Sequence, residues 1–284
     1  MTLETLRAKG LPRPLVVTST AGLGLSVPPP NVTPSDVATA IGPSFPLPVI
    51  EVSTQQEMQG WTLGGWAHFF ENRNPPNKYK VLNLISCEFS ATPLAESVTP
   101  PRFVRQLDWV ENLWPEKLRV RGTFPRVQRY FLMSTKGSYT SFHLDPGGTS
   151  VWYTVLSGKK EFFVVPPSSH TLRTFQAWTS SRDQDDIFFP DMVPGCARRL
   201  VLNAGELLVI PAGWIHSVYT PEDSMVIGGN FFHSSGILRQ LQVHAIETRT
   251  NVQPKYRFPH FREMQMHALA CLLRAMRARG GAGA

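Results

Sequence analysis

Residues 138–150 read Ser138-Tyr-Thr-Ser-Phe-His-Leu-Asp-Pro-Gly-Gly-Thr-Ser150, shortly after Val127-Gln-Arg-Tyr-Phe-Leu-Met-Ser134. Both stretches are rich in β-branched and aromatic residues and are bounded by Gly, Pro, Asn or Asp, the marks of short strands joined by tight turns. The same character runs on to His233. Strands are expected at 127–134, 138–145, 149–157, 160–166, 198–202, 206–211, 214–220 and 224–232. Such closely spaced strands with hairpin-like turns suit two sheets folded against each other.

The expected fold is therefore mainly β with flanking α: a double-stranded β-helix, the jelly roll that cupins share, with helices before and after it. Residues 1–48 hold nine of the 25 prolines, including Pro28, Pro29 and Pro30, and show neither helical nor strand periodicity, so they read as a leader or extended arm. Residues 49–126 form an N-terminal support. Within it Trp61, Leu63, Trp66, Phe69 and Phe70 have the spacing of an amphipathic helix over 61–71, a loop follows over 72–77, Val81–Phe89 reads as a strand, and 102–114 includes a short helix. Residues 127–235 are the jelly-roll core. From 236 to 284 the pattern is helical, through about Glu247 and again over 261–279, where Met264, Leu269, Leu272, Leu273 and Met276 make an apolar stripe.

Composition narrows the class. Of 284 residues 42% are hydrophobic and 17% charged, with 17 Phe and 7 Trp, which excludes a disordered or coiled-coil chain. The net charge of +7 is concentrated at one end, because from Arg239 onward eight Lys or Arg stand against Glu247 and Glu263. A basic end of this kind suits weak contact with nucleic acid or a nucleosome, although a solvated helix face explains it equally well. Cys87, Cys196 and Cys271 are too scattered for a zinc module or a disulfide framework, which points to a reducing compartment. No apolar run approaches the ~18 residues that span a bilayer, and Arg7, Lys9 and Arg13 interrupt any apolar signal core, so neither membrane insertion nor secretion is expected.

The candidate chemistry begins with His143 and Asp145. Residues two apart on a strand face the same way, so this pair would project from one wall while Leu144 points away. Pro211-Ala-Gly-Trp-Ile-His216 supplies a turn leading into a strand that carries a third ligand, His216, 71 residues after Asp145. Two His and one carboxylate form the facial triad that leaves positions open on iron(II). Alone, H-x-D is a common accident. Lys160 is a candidate anchor for a dicarboxylate co-substrate, because alternation in Lys159-Lys160-Glu161-Phe162-Phe163-Val164 puts it on the inward face with Phe162 and Val164. A buried ammonium needs an anion, and a bound carboxylate would provide one. The opposite parity, with Lys159 inward and Lys160 in solvent, remains open at this level.

Taken together, Asn83-Leu-Ile-Ser-Cys-Glu-Phe-Ser90, Pro101-Arg-Phe-Val-Arg-Gln-Leu-Asp-Trp-Val-Glu-Asn-Leu-Trp-Pro-Glu116, Val127 to Ser134, His143-Leu-Asp-Pro-Gly-Gly-Thr-Ser-Val-Trp-Tyr153, Pro211 to His216 and Gly228-Gly-Asn-Phe-Phe-His-Ser234 resemble the jumonji C (JmjC) catalytic domain of histone lysine demethylases linked to PHD fingers or F-boxes. The resemblance covers about residues 49–275. It implies iron(II) held by His143, Asp145 and His216, 2-oxoglutarate contacted by Thr140, Lys160, Tyr153 and Asn83, and a methyl-lysine pocket bordered by Tyr130, Ile85 and Asn230. It implies demethylation of mono- or dimethyl-lysine on a histone tail peptide by a nuclear enzyme that acts in chromatin regulation. Two other readings stay open: a JmjC hydroxylase leaving a stable alcohol on protein or RNA, and a non-catalytic chromatin scaffold, against which the intact ligands argue. Pro146 departs from the family, which usually places Phe directly after the metal Asp, and the three Cys cannot build the zinc modules of its relatives. Targeting is then expected from the arm, the basic end or a separate subunit.

Overall fold

Two long strands organise the architecture, and the sequence reads each of them as two. In the computed structural model, which describes residue 6, residues 10–73 and residues 80–280 (side chains of 279 and 280 aside), the strands in chain order are β1 (Leu15–Val17), β2 (Val49–Glu51), β3 (Gln56–Met58), β4 (Leu82–Glu88), β5 (Tyr130–Ser134), β6 (Tyr139–His143), β7 (Ser150–Val165), β8 (Arg198–Asn203), β9 (Leu207–Ile210) and β10 (Ile215–Phe231). The expected breaks near 158 and 222 are bends within β7 and β10. At the bend Gly158 has φ +76, and a Cβ there would lie 2.0 Å from the Asp223 carbonyl oxygen, so glycine marks a corner that no other residue could turn.

Each half of these strands has its own neighbours. The first half of β7 pairs with β9 (Val151 opposite Ile210) and the second with β8 (Lys160 opposite Leu202), while β10 runs antiparallel along both. The start of β10 pairs with β6 and its end with β5. The result is a jelly roll whose path runs β1-β9-β7-β10-β5-β4-β2-β3, with β6 on β10 and β8 on β7. Tyr153, Phe162, Val164, Leu202, Leu208 and Val226 come from both halves yet form one buried cluster, the inside of the roll.

The outer face of the larger half is covered by the N-terminal region. Helices α1 (Pro34–Ile41) and α2 (Leu63–Asn72) pack on it, and fully buried Trp66 lies in one cluster with Leu84, Phe131 and Trp152; removing such an indole costs ~3–5 kcal/mol. Here the expectation that residues 1–48 lack regular structure is corrected. β1 extends the sheet at its edge through Val16 opposite Leu208, and α1 opens with a capping box between Thr33 and Asp36 and with Pro34 in its first turn. A three-residue edge strand is too short to show a period, and the prolines around both elements mask the cap.

The remaining helices are α3 (Arg102–Leu107), α4 (Trp109–Leu113), α5 (Glu116–Val120), α6 (Ser169–Thr179), α7 (Ile237–Arg249) and α8 (Phe261–Gly280). The helix expected within 102–114 is split at Asp108, whose side chain accepts from Val110 N–H and caps α4. On α8, Met264 is fully buried but Leu269, Leu272, Leu273 and Met276 are exposed, so only the start of the stripe is core. Most of the 72–77 loop and the ends of the leader and basic tail lie outside the described residues. Among the described residues no helix is long and apolar enough to cross a membrane.

Candidate functional site

His143 ends β6 and stands directly opposite His216 at the start of β10, with ring centroids 4.3 Å apart. His143 Nδ1 lies 2.8 Å from the Ser141 carbonyl and His216 Nδ1 lies 3.1 Å from that of Trp214. Each ring thus donates from Nδ1 to its own strand and keeps the Nε2 lone pair for a ligand. Asp145 lies one residue past the neighbour of the strand end and heads the short 3-10 turn Pro146–Gly148. Strand parity therefore does not place it; the turn does. The ligand atoms of His143, Asp145 and His216 all lie within 4.8 Å of one another.

These three groups fit a divalent metal. His216 Nε2 and Asp145 Oδ2 are 3.8 Å apart, beyond hydrogen-bond range, so the convergent lone pairs have no proton to share. Burial, and then the proximity of His216, pushes the His143 pKa down to about 4, which favours the neutral imidazole that binds metal. Two imidazoles and one carboxylate suit iron(II).

Inside the roll lies a second, polar cluster built on the inward faces of the strands. Lys160 is 2% exposed, as the parity with Phe162 and Val164 predicts. Its Nζ donates to Ser134 Oγ (2.6 Å) and Thr220 Oγ1 (2.7 Å), and burial with no compensating charge pushes its pKa down to about 7. Ser134 in turn donates to Asn83 Oδ1 (2.7 Å), and Asn83 Nδ2 donates to Thr140 Oγ1 (3.3 Å). Lys160, Asn83 and Thr140 are thus joined through Ser134, which the sequence reading missed along with Thr220. The only signal for either was a small hydroxyl at an inward position of a strand. Tyr153 is buried inside the roll edge-on to Phe162, and burial pushes its phenol pKa well up.

An irregularity in the sheet aims Thr140. Phe142 packs outward against Phe189, whereas Thr140, two residues earlier, meets Asn83 inside; strict alternation would give both the same face. The register shift of the β6–β10 pairing between His216 and Val218 resolves this. A second shift lies between Leu84 and Cys87 in the β4–β5 pairing, and Ile85, within it, is half-buried and outside the main core.

Tyr130 is half-buried, its hydroxyl donates to the Arg126 carbonyl (3.2 Å), and its pKa is pushed up by burial and then by the charges of Glu88 and Asp145. Asn230 sits in the regular β7–β10 ladder rather than in a bulge, and its Nδ2 donates to Thr149 Oγ1 (2.8 Å) and Asp145 Oδ1 (3.3 Å). It therefore reaches the Asp145 carboxylate directly.

Residues 68–237 match the family described as Cupin-like domain. Over 96% of its length the chain is 41% identical to Lysine-specific demethylase 2A of Xenopus tropicalis, covering 25% of that protein. It is 44% identical over 92% of its length to Histone lysine demethylase PHF8 of Danio rerio, covering 25%, and 40% identical over 94% to Lysine-specific demethylase 2B of Mus musculus, covering 21%. The chain spans about a quarter of the length of these curated relatives.

Proposed function

This chain belongs to the Cupin-like domain family, and we propose that it is an iron(II)- and 2-oxoglutarate-dependent dioxygenase that demethylates N-methyl-lysine, mono- or dimethylated, on histone tail peptides in the nucleus. The observation that carries the reading is the three-ligand cluster of His143, Asp145 and His216 together with a buried Lys160 that has hydroxyl partners but no anionic one among the described residues. When bound, iron(II) would let dioxygen oxidise 2-oxoglutarate to succinate and carbon dioxide, one oxygen atom going to succinate and the other to the N-methyl group, whose carbinolamine then releases formaldehyde.

The chain's own residues do the positioning. His143, Asp145 and His216 hold the metal and leave the remaining coordination positions for co-substrate and dioxygen. Lys160 supplies the cation for the distal carboxylate of 2-oxoglutarate, with Thr140 as a hydroxyl donor, while Asn83 and Tyr153 offer an amide and a hydroxyl to the chelating end. Tyr130, Ile85 and Asn230 border the methyl-lysine. Ile85 limits the room beside the metal, which favours fewer methyl groups. The printed names of the relatives, lysine-specific and histone lysine demethylases, support the same substrate class. The four-part division at 48, 126 and 235, and weak DNA or nucleosome contact through the basic end, belong to this reading; Arg274→Glu with Arg277→Glu should abolish any gel retardation of DNA.

The deciding experiment incubates the chain with iron(II), 2-oxoglutarate and histone peptides bearing one, two or three methyl groups, reading peptide mass and formaldehyde together. Loss of methyl groups with equimolar formaldehyde is expected from mono- and dimethyl peptides. Efficient trimethyl turnover would refute the argument from Ile85, and gain of one oxygen without formaldehyde would replace demethylation by hydroxylation.

A further inference from the structure

The strand ladder explains why His143 and His216 are where they are, but not Asp145. The carboxylate lies beyond the end of β6, at the head of Pro146-Gly147-Gly148, and its aim depends on how that turn is held. The turn is clamped between α7 on one side and Phe258 and Phe261, at the entry to α8, on the other. A Cβ on Gly147 would lie 2.9 Å from Phe258 and Phe261 atoms, and one on Gly148 would lie 2.9 Å from Val243 Cβ and 3.0 Å from the Arg239 carbonyl oxygen. Both glycines also have positive φ, +62 and +65, so backbone and helix fit only without side chains. Among the described residues the one polar tie between this turn and α7 is a hydrogen bond of 2.7 Å from the Gly147 amide to Glu247 Oε1, while the Asp145 carboxylate itself accepts from Asn230 Nδ2 (3.3 Å).

Glu247 is otherwise poorly placed for a carboxylate. It is 6% exposed, its second oxygen makes no hydrogen bond among the described residues, and His244 Nδ1 lies 3.7 Å from that oxygen. Arg257 donates to the backbone carbonyl of Glu247 (2.9 Å) and supplies the nearby positive charge. A buried acid with one good hydrogen bond is costly unless that bond matters. The same helix also braces the other ligand arm: Gly213, in the turn that leads to His216, faces Arg239 and Val243, with a Cβ falling 3.3 and 3.6 Å from them.

We infer that Glu247 is a positioning residue for the metal centre: by holding the Gly147 amide it fixes the turn that aims Asp145, while α7 sets the separation of the Asp145 and His216 arms. This rests on the metal-centre reading above. Groups that orient a metal ligand are worth ~10-fold to 100-fold in metal affinity, and the role asks for an acceptor at Oε1 rather than for a charge.

Cobalt(II) titration of the chain without co-substrate, followed by its d–d absorption, tests this on wild type, Glu247→Met and Glu247→Gln, each with a thermal melt. Glu247→Met removes the acceptor but suits a buried apolar site; it should bind cobalt ~10-fold to 100-fold more weakly, with an altered d–d band, while keeping a wild-type melting temperature. Glu247→Gln retains an oxygen for the Gly147 amide and should restore affinity and spectrum. Wild-type binding by Glu247→Met, or loss in Glu247→Gln equal to that in Glu247→Met, overturns the inference. If wild type itself fails to bind cobalt, the metal-centre reading falls first and takes this role with it.

Discussion

The Lys160 pocket and the metal corner sit side by side inside the roll but are built in opposite ways. In the pocket every polar group stands on the inward face of a strand, and the chain Thr220–Lys160–Ser134–Asn83–Thr140 is closed by hydrogen bonds from one side chain to the next. At the corner no hydrogen bond joins His143, Asp145 and His216 themselves; the Asp145 carboxylate accepts only from Asn230 among the described side chains. Each imidazole is tied to its own backbone, and the carboxylate rides on a glycine turn pressed against a helix. A pocket fixed by the ladder should lose ligand affinity when a side chain is removed yet keep its shape. The corner should lose its ligand altogether.

The contrast is sharpest in two substitutions. Asp145→Ala should abolish metal binding and turnover while the melting temperature stays near wild type, because this half-buried turn residue contributes little to the core; 2-oxoglutarate consumption at the wild-type rate would remove Asp145 from the metal site. Lys160→Met should leave cobalt binding intact but weaken 2-oxoglutarate ~30-fold or more, the effect of ~2–5 kcal/mol for a truncated buried charge partner. Succinate production titrated against 2-oxoglutarate reads this directly, and an unchanged requirement would place the dicarboxylate elsewhere.

A further effect separates the two regions by pH. The Lys160 pKa is near 7 in the folded chain against its ordinary 10.5 unfolded, so between these values the unfolded state holds more protons. Stability should therefore rise as pH climbs from about 7 to 10.5, with the cost of burying the ammonium fully present below 7. Melting curves of wild type minus Lys160→Met isolate the term; parallel curves across that window would mean that Lys160 stays charged in the fold. Smallest of all, Ser134→Ala should cost ~0.5–1.5 kcal/mol of stability, and 2-oxoglutarate affinity should fall only a few-fold, since Thr220 still holds Nζ. A loss as large as that of Lys160→Met would make Ser134 a direct ligand contact.

What could be read in the sequence follows this division. That Lys160, Phe162 and Val164 share one face follows from alternation with period two, a property of the strand alone, whereas which face is inward came only with the structure. His143 and His216 were legible through the H-x-D pair and the Pro-x-Gly turn. Thr140 was not legible from alternation, since Phe142 points outward and a register shift lies between them and their partners. The edge strand β1 and helix α1 were hidden in proline-rich sequence for the same kind of reason: their stability comes from the sheet and from α2, not from their own pattern.

The sequence by itself determined the strand-rich core and singled out three candidate ligands and a lysine whose parity stayed open, because side-chain alternation, turn residues and ligand chemistry are local. Only the tertiary structure decided that β7 and β10 bend without breaking at Gly158 and Asp223, that Ser134 and Thr220 complete the lysine's hydrogen bonds, and that Glu247 on a distant helix holds the turn beneath Asp145. Those pairings depend on register and on the packing of elements far apart in the chain, where a shift of one residue turns a side chain to the opposite face.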